Sequence, residues 1–212
     1  MVLAAGAGVV SAAGLYGLLL RERQLRWGAT SSEVAGSLPG DDLLARADLV
    51  ATRAISIAAP ADRVWPWLAQ MGQGRGGLYS YDRLENLVGC QIRSATRVVP
   101  EWQRVSPGDD FRIHPDVALA VASVDPPHAL VVHGGVTASG RPTGDEPSPP
   151  YDFTWAFVLV RAGPEHTRLI VRERYRYLTP AARLLVEMVS LASFVMTERM
   201  LRGIRDRAVV VP

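Results

Sequence analysis

From Arg97 to Leu178 the sequence is a succession of short runs, "RVVP", "DDFRIH", "VALAVASVD", "ALVVHGGV", "DFTWAFVLV" and "TRLIVRERYRYL", and after Pro180 it passes into one long run of helical period. Nothing else in the chain restricts its fold as tightly. Alternation with a period of two marks half-buried strands, and "SPGD", "DPPH" and "AGPEH" between them read as turns of an antiparallel sheet. The final run, "AARLLVEMVSLASFVMTERMLRGIRDRA", repeats apolar residues at Leu184, Met188, Leu191, Val195 and Met196 and predicts a single long helix. The expected class is α+β.

Upstream, "LVATRAISI" (49–57) alternates and predicts a first strand. "PADRVWPWLAQM" then places Asp62 in a first helical turn and Val64, Trp67, Leu68 and Met71 on one face, with Pro66 predicting a kink or a short helix. A glycine stretch ends it. A second short helix, "YDRLENLVG", is expected to take its cap from Ser80 or Asp82, to share Leu84, Leu87 and Val88 on one face, and to stop at Gly89. Residues 138–150, "ASGRPTGDEPSPP", read as a mobile surface loop.

The first twenty residues, "MVLAAGAGVVSAAGLYGLLL", carry no charged side chain. At about 1.5 Å per helical residue they span about 30 Å, the thickness of a bilayer's hydrocarbon core, and read as a transmembrane helix. Arg21, Arg23 and Arg26 follow rather than precede the apolar run, which argues for a retained single-pass anchor with its C-terminal side in the cytoplasm. Trp27 suits the interface, and Ala4, Gly8 and Ala12 form a small-residue stripe through which two anchors can self-associate as a weak homodimer. Residues 28–48 are small, polar and acidic and read as a linker or an ordered strap, within a juxtamembrane linker set at 21–48, and the soluble domain occupies 49–212.

Composition narrows the function classes. All 23 basic residues are arginine, yet the formal net charge is only +2, which gives no nucleic-acid surface. Arg172, Arg174 and Arg176 line one side of a strand and are expected to be its solvated face. Cys90 stands alone, so neither an intrachain disulfide nor a cysteine-rich metal site is available. The histidines at 114, 128, 133 and 166 lack metal-ligand spacing, and neither a metal nor a cofactor is expected. "GQGRGG" follows a helix in a chain without lysine, so it is not a phosphate-binding loop.

The element order, with "WPWLAQMGQGRGGLYSYDRLENLVG" and "FVMTERMLRGIRDRA", resembles the START-like superfamily, also called SRPBCC or polyketide cyclase-like, over residues 49–208. Within it, "RWGAT" and "LPGD" resemble the preamble of a bacterial, membrane-tethered group. The resemblance implies a helix-grip fold, an antiparallel sheet wrapped around the long C-terminal helix with a cavity between them for an apolar ligand such as a lipid, isoprenoid or polyketide-like compound. The glycine stretch would then join two small helices at the cavity entrance.

Alternation in "TRLIVRERYRY" puts Leu169, Val171, Glu173, Tyr175 and Tyr177 on one side, so Glu173 points to the concave face, paired with an arginine or serving as an acid/base or ligand contact. His133 is expected to share the cavity with Trp155 and Tyr175. Tyr79, Tyr81, Asp82 and Glu85 are expected to gate or line its entrance. Glu173 and His133 are the candidates for catalysis, within reach of each other if the chain is an enzyme of the cyclase or dehydratase type. Three readings stand: a membrane-tethered binding protein for a hydrophobic small molecule, such an enzyme, or a non-catalytic interaction protein using the last helix.

Overall fold

The computed structural model describes residues 20–134 and 150–210. The anchor expected over 1–20 and the loop expected over 138–150 lie, but for Leu20 and Pro150, outside the described residues, as does the Ala4, Gly8 and Ala12 stripe. Among the described residues no helix is long and apolar enough to cross a membrane.

Two short helices, α1 (Arg21–Leu25) and α2 (Ser31–Ala35), precede strand β1 (Leu49–Ile57). Helices α3 (Ala61–Ala69) and α4 (Asp82–Leu87) follow, then β2 (Asp110–His114), β3 (Val117–Asp125), β4 (Ala129–His133), β5 (Tyr151–Gly163), β6 (His166–Tyr177) and the long helix α5 (Ala182–Val209). The strands form one antiparallel sheet in the order β1-β6-β5-β4-β3-β2, with the chain's first strand paired to its last. Residues 97–100 do not make the strand expected there. Gln70 takes their backbone groups instead, donating to the Arg97 carbonyl and accepting from the Val99 N–H, and Pro100 opens a 3-10 turn.

The main core lies between the sheet's inner face and α3 and α5, with Leu49, Ile57, Leu130, Phe157, Leu169 and Val171 facing Val64, Leu68, Met200, Leu201 and Ile204. α5 comes close to the glycine stretch: a Cβ on Gly203 would sit 2.2 Å from the Tyr79 carbonyl oxygen, so only glycine fits there. Residues 72–77 close into a tight loop, with Gly72 and Gly77 exchanging backbone hydrogen bonds of 3.0 Å. Tyr79 packs beneath it, edge-on to Trp67 at 5.8 Å and under the Arg207 guanidinium at 4.8 Å. α4 has no side-chain cap, because Ser80 donates to the Met196 carbonyl and the Asp82 carboxylate binds the Ser94 hydroxyl and N–H. Its Leu84, Leu87 and Val88 face solvent rather than core.

The outer face of the sheet is not the wet one. Residues 28–48 run across it as an ordered strap and cover a second apolar cluster of Ala54, Val131, Ala156, Val158 and Ile170, while residues 21–27 pack on α5 and the main core. The strap is organised locally by a capping box, with the Glu33 N–H donating to Thr30 Oγ1 and the Thr30 N–H donating to the Glu33 carboxylate. The β6 arginines clamp it down. Arg172, 2 % exposed, donates to the carbonyls of Glu33, Val34 and Gly36 and to Asp41 at 2.6 Å. Arg174 holds the Leu44 carbonyl, and Arg168 holds Glu33, drawing that carboxyl below its usual range. Arg176 alone of the expected wet cluster is exposed. Trp27 packs on the domain as well, its carbonyl bonded to Ala54 and its ring under Arg202.

Candidate functional site

Pairing β4, β5 and β6 in this register stacks alternate side chains on the inner face: Phe153 lies opposite Tyr175, and Trp155 opposite Glu173. These four, with Tyr151 and with Ile113 from β2, floor a hollow of about 200 Å³. Val189 and Ser193 of α5 close it from the other side, and Leu78, the residue after the glycine stretch, closes one end. Its walls are mainly aromatic, with ring centroids 4.7 Å apart for Phe153 and Tyr175 and 6.3 Å for Phe153 and Trp155.

Behind one wall sits a buried ion pair. Glu173 and Arg53 are each 1 % exposed and meet at 2.7 Å. The same Glu173 oxygen accepts from the Ser193 hydroxyl at 2.7 Å and the Thr197 hydroxyl at 3.1 Å, and the other accepts from the Tyr175 hydroxyl at 3.0 Å. Arg53 also donates to the Gln24 carbonyl, so the network ties β1, β6, α5 and α1 together. One guanidinium and three hydroxyls thus donate to a single buried carboxylate. Burial first, and Glu173 second, push the Tyr175 hydroxyl well above its ordinary value, so it remains a donor.

This arrangement is an antiparallel sheet gripping a long C-terminal helix around a hollow. It is a helix-grip fold. The grip brings together three of the residues expected at the site, Trp155, Glu173 and Tyr175.

His133 is not among them. It lies opposite Thr154 on the outer face, half-exposed, with its Nε2 3.0 Å from Asp152 Oδ1, because β4 enters the sheet with Leu130 and Val132 facing inward. Tyr79 is buried in the core, and Tyr81 and Asp82 border a separate surface groove with Arg199 and Arg207. The Glu85 carboxylate is buried and has no hydrogen-bond partner among the described residues, and burial, with Asp82 nearby, pushes it up to about 7. None of these four lines the hollow, since α4 stands off the sheet and only Leu78 reaches in. Tyr151, Phe153, Ser193, Thr197 and Arg53 were missed at the sequence level. The period of two through "YDFTW" marks the first two, and Arg53 is the one charge inside "LVATRAISI".

The residues around the hollow carry few polar groups. The Trp155 indole N–H is buried and has no partner among the described residues. The Tyr175 and Ser193 hydroxyls spend their hydrogens on Glu173.

No family model matches the sequence, and no curated protein matches it. Among solved structures it is similar to Ms6760 from Mycobacterium smegmatis, at 19 % identity and TM-score 0.41 over 77 % of this chain and 93 % of that one. It is similar also to truncated norcoclaurine synthase from Thalictrum flavum, at 14 % identity and TM-score 0.48 over 77 % and 95 %. A third is CalU16 from Micromonospora echinospora, at 14 % identity and TM-score 0.34 over 75 % and 83 %.

Proposed function

We propose that the protein is a membrane-tethered binding protein for a hydrophobic small molecule held between the sheet and α5. The observation that carries this reading is the mainly aromatic hollow of about 200 Å³ between the sheet and α5. Size restricts the ligand further: a dry apolar cavity of ~150 Å³ holds benzene, so the hollow takes a ring with a short substituent. A full acyl chain or a multi-ring polyketide exceeds it; of the lipid, isoprenoid and polyketide-like classes, the ring-sized or short-chain members fit.

The tether is residues 1–20, with Arg21, Arg23 and Arg26 as the cytoplasmic flank that sets the domain at the inner side of the cell membrane. Acid–base chemistry finds less support, since Glu173 is occupied by four donors and His133 stands across the sheet from it.

Native mass spectrometry of the detergent-extracted chain tests the binding reading. A ring-sized compound should stay bound to the wild type and be lost from Val189→Phe, which fills the hollow from α5 without touching the Glu173 network. Wild-type protein that carries no small molecule, and whose melting temperature is unmoved by ring-sized alcohols and ketones, would refute it. Resistance to carbonate extraction tests the tether separately.

A further inference from the structure

The first half of α5 is turned the wrong way round for a core helix. Its sheet-facing line runs through Val186, Ser190, Ser193 and Thr197, three of them hydroxyl residues. The opposite line, Leu184, Met188, Leu191 and Val195, recurs at intervals of four, three and four and faces out, with Leu184 72 % and Met188 67 % exposed. Leu185 adds to the same surface. This stripe extends over about 16 Å of helix.

We infer that this face of α5 rests on the surface of a lipid bilayer. The inference depends on the tether reading above and on where the described chain begins. Leu20, itself exposed, leads directly into α1. Arg21 Nη2 is 2.6 Å from Glu187, and Gln24 Nε2 donates to Ser190 Oγ at 3.0 Å. These anchoring contacts fall within about 6 Å of helical rise from Leu20, so an uncharged segment that enters the bilayer at residue 20 delivers α5 to the headgroup region. Glu187 and Ser190 alternate in sequence with Met188 and Leu191, which places the stripe beside the point of insertion.

The charges agree with a lipid surface. Arg23 and Arg26 on α1 and Arg183 next to Leu184 are exposed, while Glu187 is neutralised by Arg21; Glu22, the remaining acid of α1, lies 4.0 Å from Arg26. An apolar face rimmed by arginine is the make-up of a helix that lies in the interface plane of an anionic membrane. Val189 and Ser193 wall the hollow from the same turns, so docking sets the ligand chamber directly behind the lipid-facing side.

The test uses the full chain with Cys90→Ala, reconstituted in phosphatidylcholine vesicles containing phosphatidylglycerol. A nitroxide is placed at Met188→Cys or, as a control on the far end of α5, at Asp206→Cys. Docking predicts that the label at 188 gains collisions with oxygen and loses collisions with a water-soluble nickel chelate relative to 206. Adding Leu184→Glu and Leu191→Glu should reverse that difference. Equal chelate access at 188 and 206 in a chain that still floats with the vesicles overturns the docking and leaves the tether standing. A chain that does not float takes the tether down and the docking with it. Protection from the chelate without the oxygen gain means that protein, either residues 1–19 or a second copy, covers the stripe, and that also overturns the inference.

Discussion

Replacing Glu173 by glutamine keeps the side chain's shape and removes its charge, which isolates the buried ion pair as the element to be weighed. Arg53 would be left 1 % exposed with no counter-charge, and breaking a buried pair in this way costs about 3–5 kcal/mol. For a chain of this size each kcal/mol moves the melting temperature by about 2–4 °C, so Glu173→Gln should melt about 6–20 °C lower. The double variant Arg53→Met, Glu173→Leu removes both charges but strands the Tyr175, Ser193 and Thr197 hydroxyls and the Gln24 carbonyl. It should therefore recover part of the loss, not all of it. Urea unfolding of the wild type, Arg53→Met, Glu173→Leu and the double variant in one detergent closes the cycle. A coupling energy of at least about 2 kcal/mol is expected for side chains in one network, against about 0.3–0.5 kcal/mol for independent sites. Coupling within that smaller range would show that the pair does not hold the grip together.

Glu85 makes stability fall as pH rises. Its carboxyl titrates near 7 in the folded chain and lower when unfolded, so the folded state is unpenalised below about pH 4.5 and loses up to about 3 kcal/mol as pH rises through 7. Glu85→Gln should flatten that slope and unfold later than wild type at pH 8 but not at pH 4, whereas parallel unfolding profiles would contradict it. Arg172→Ala should release the strap, read as faster amide exchange over residues 28–45 and a loss of about 3–5 kcal/mol; unchanged exchange there would mean that the apolar cluster beneath suffices. Gly203→Ala should cost about 1–3 kcal/mol by driving α5 away from the Tyr79 carbonyl, and a melting temperature within a degree of wild type would refute that close approach.

Where one face of a strand met the core and the other met solvent, the alternation in the sequence carried through. β3 appears as read; β6 keeps its alternation although its outer face is covered, because arginines rather than apolar residues stand under the strap, and Glu173 faces inward beside an arginine as its parity demands. β4 was opaque for the opposite reason. "ALVVH" is apolar on both sides because the strap covers its outer face, so nothing local told His133 which way to point. The strap was equally hidden. Its acceptors are backbone carbonyls more than a hundred residues away from the arginines that hold them, and a run of arginines looks the same in sequence whether it meets water or main chain.

α5 shows the limit of periodicity as a guide to burial. The apolar spacing from Leu184 to Val195 predicted a helix correctly, yet the face it marked is the outer one, and hydroxyls take the inner one to serve Glu173. Burying a leucine-sized side chain is worth about 1.5–3 kcal/mol, so a helix that leaves Leu184, Met188, Leu191 and Val195 outside forgoes several kcal/mol in the isolated domain. A rotation by half a turn would bury the stripe, but it would also strip Ser193 and Thr197 from a carboxylate and Ser190 from Gln24. The polar network thus sets the rotation of α5. One set of contacts accounts for both the small polar-edged hollow behind the helix and the apolar surface in front of it, and the two faces should stand or fall together when Glu173 is changed.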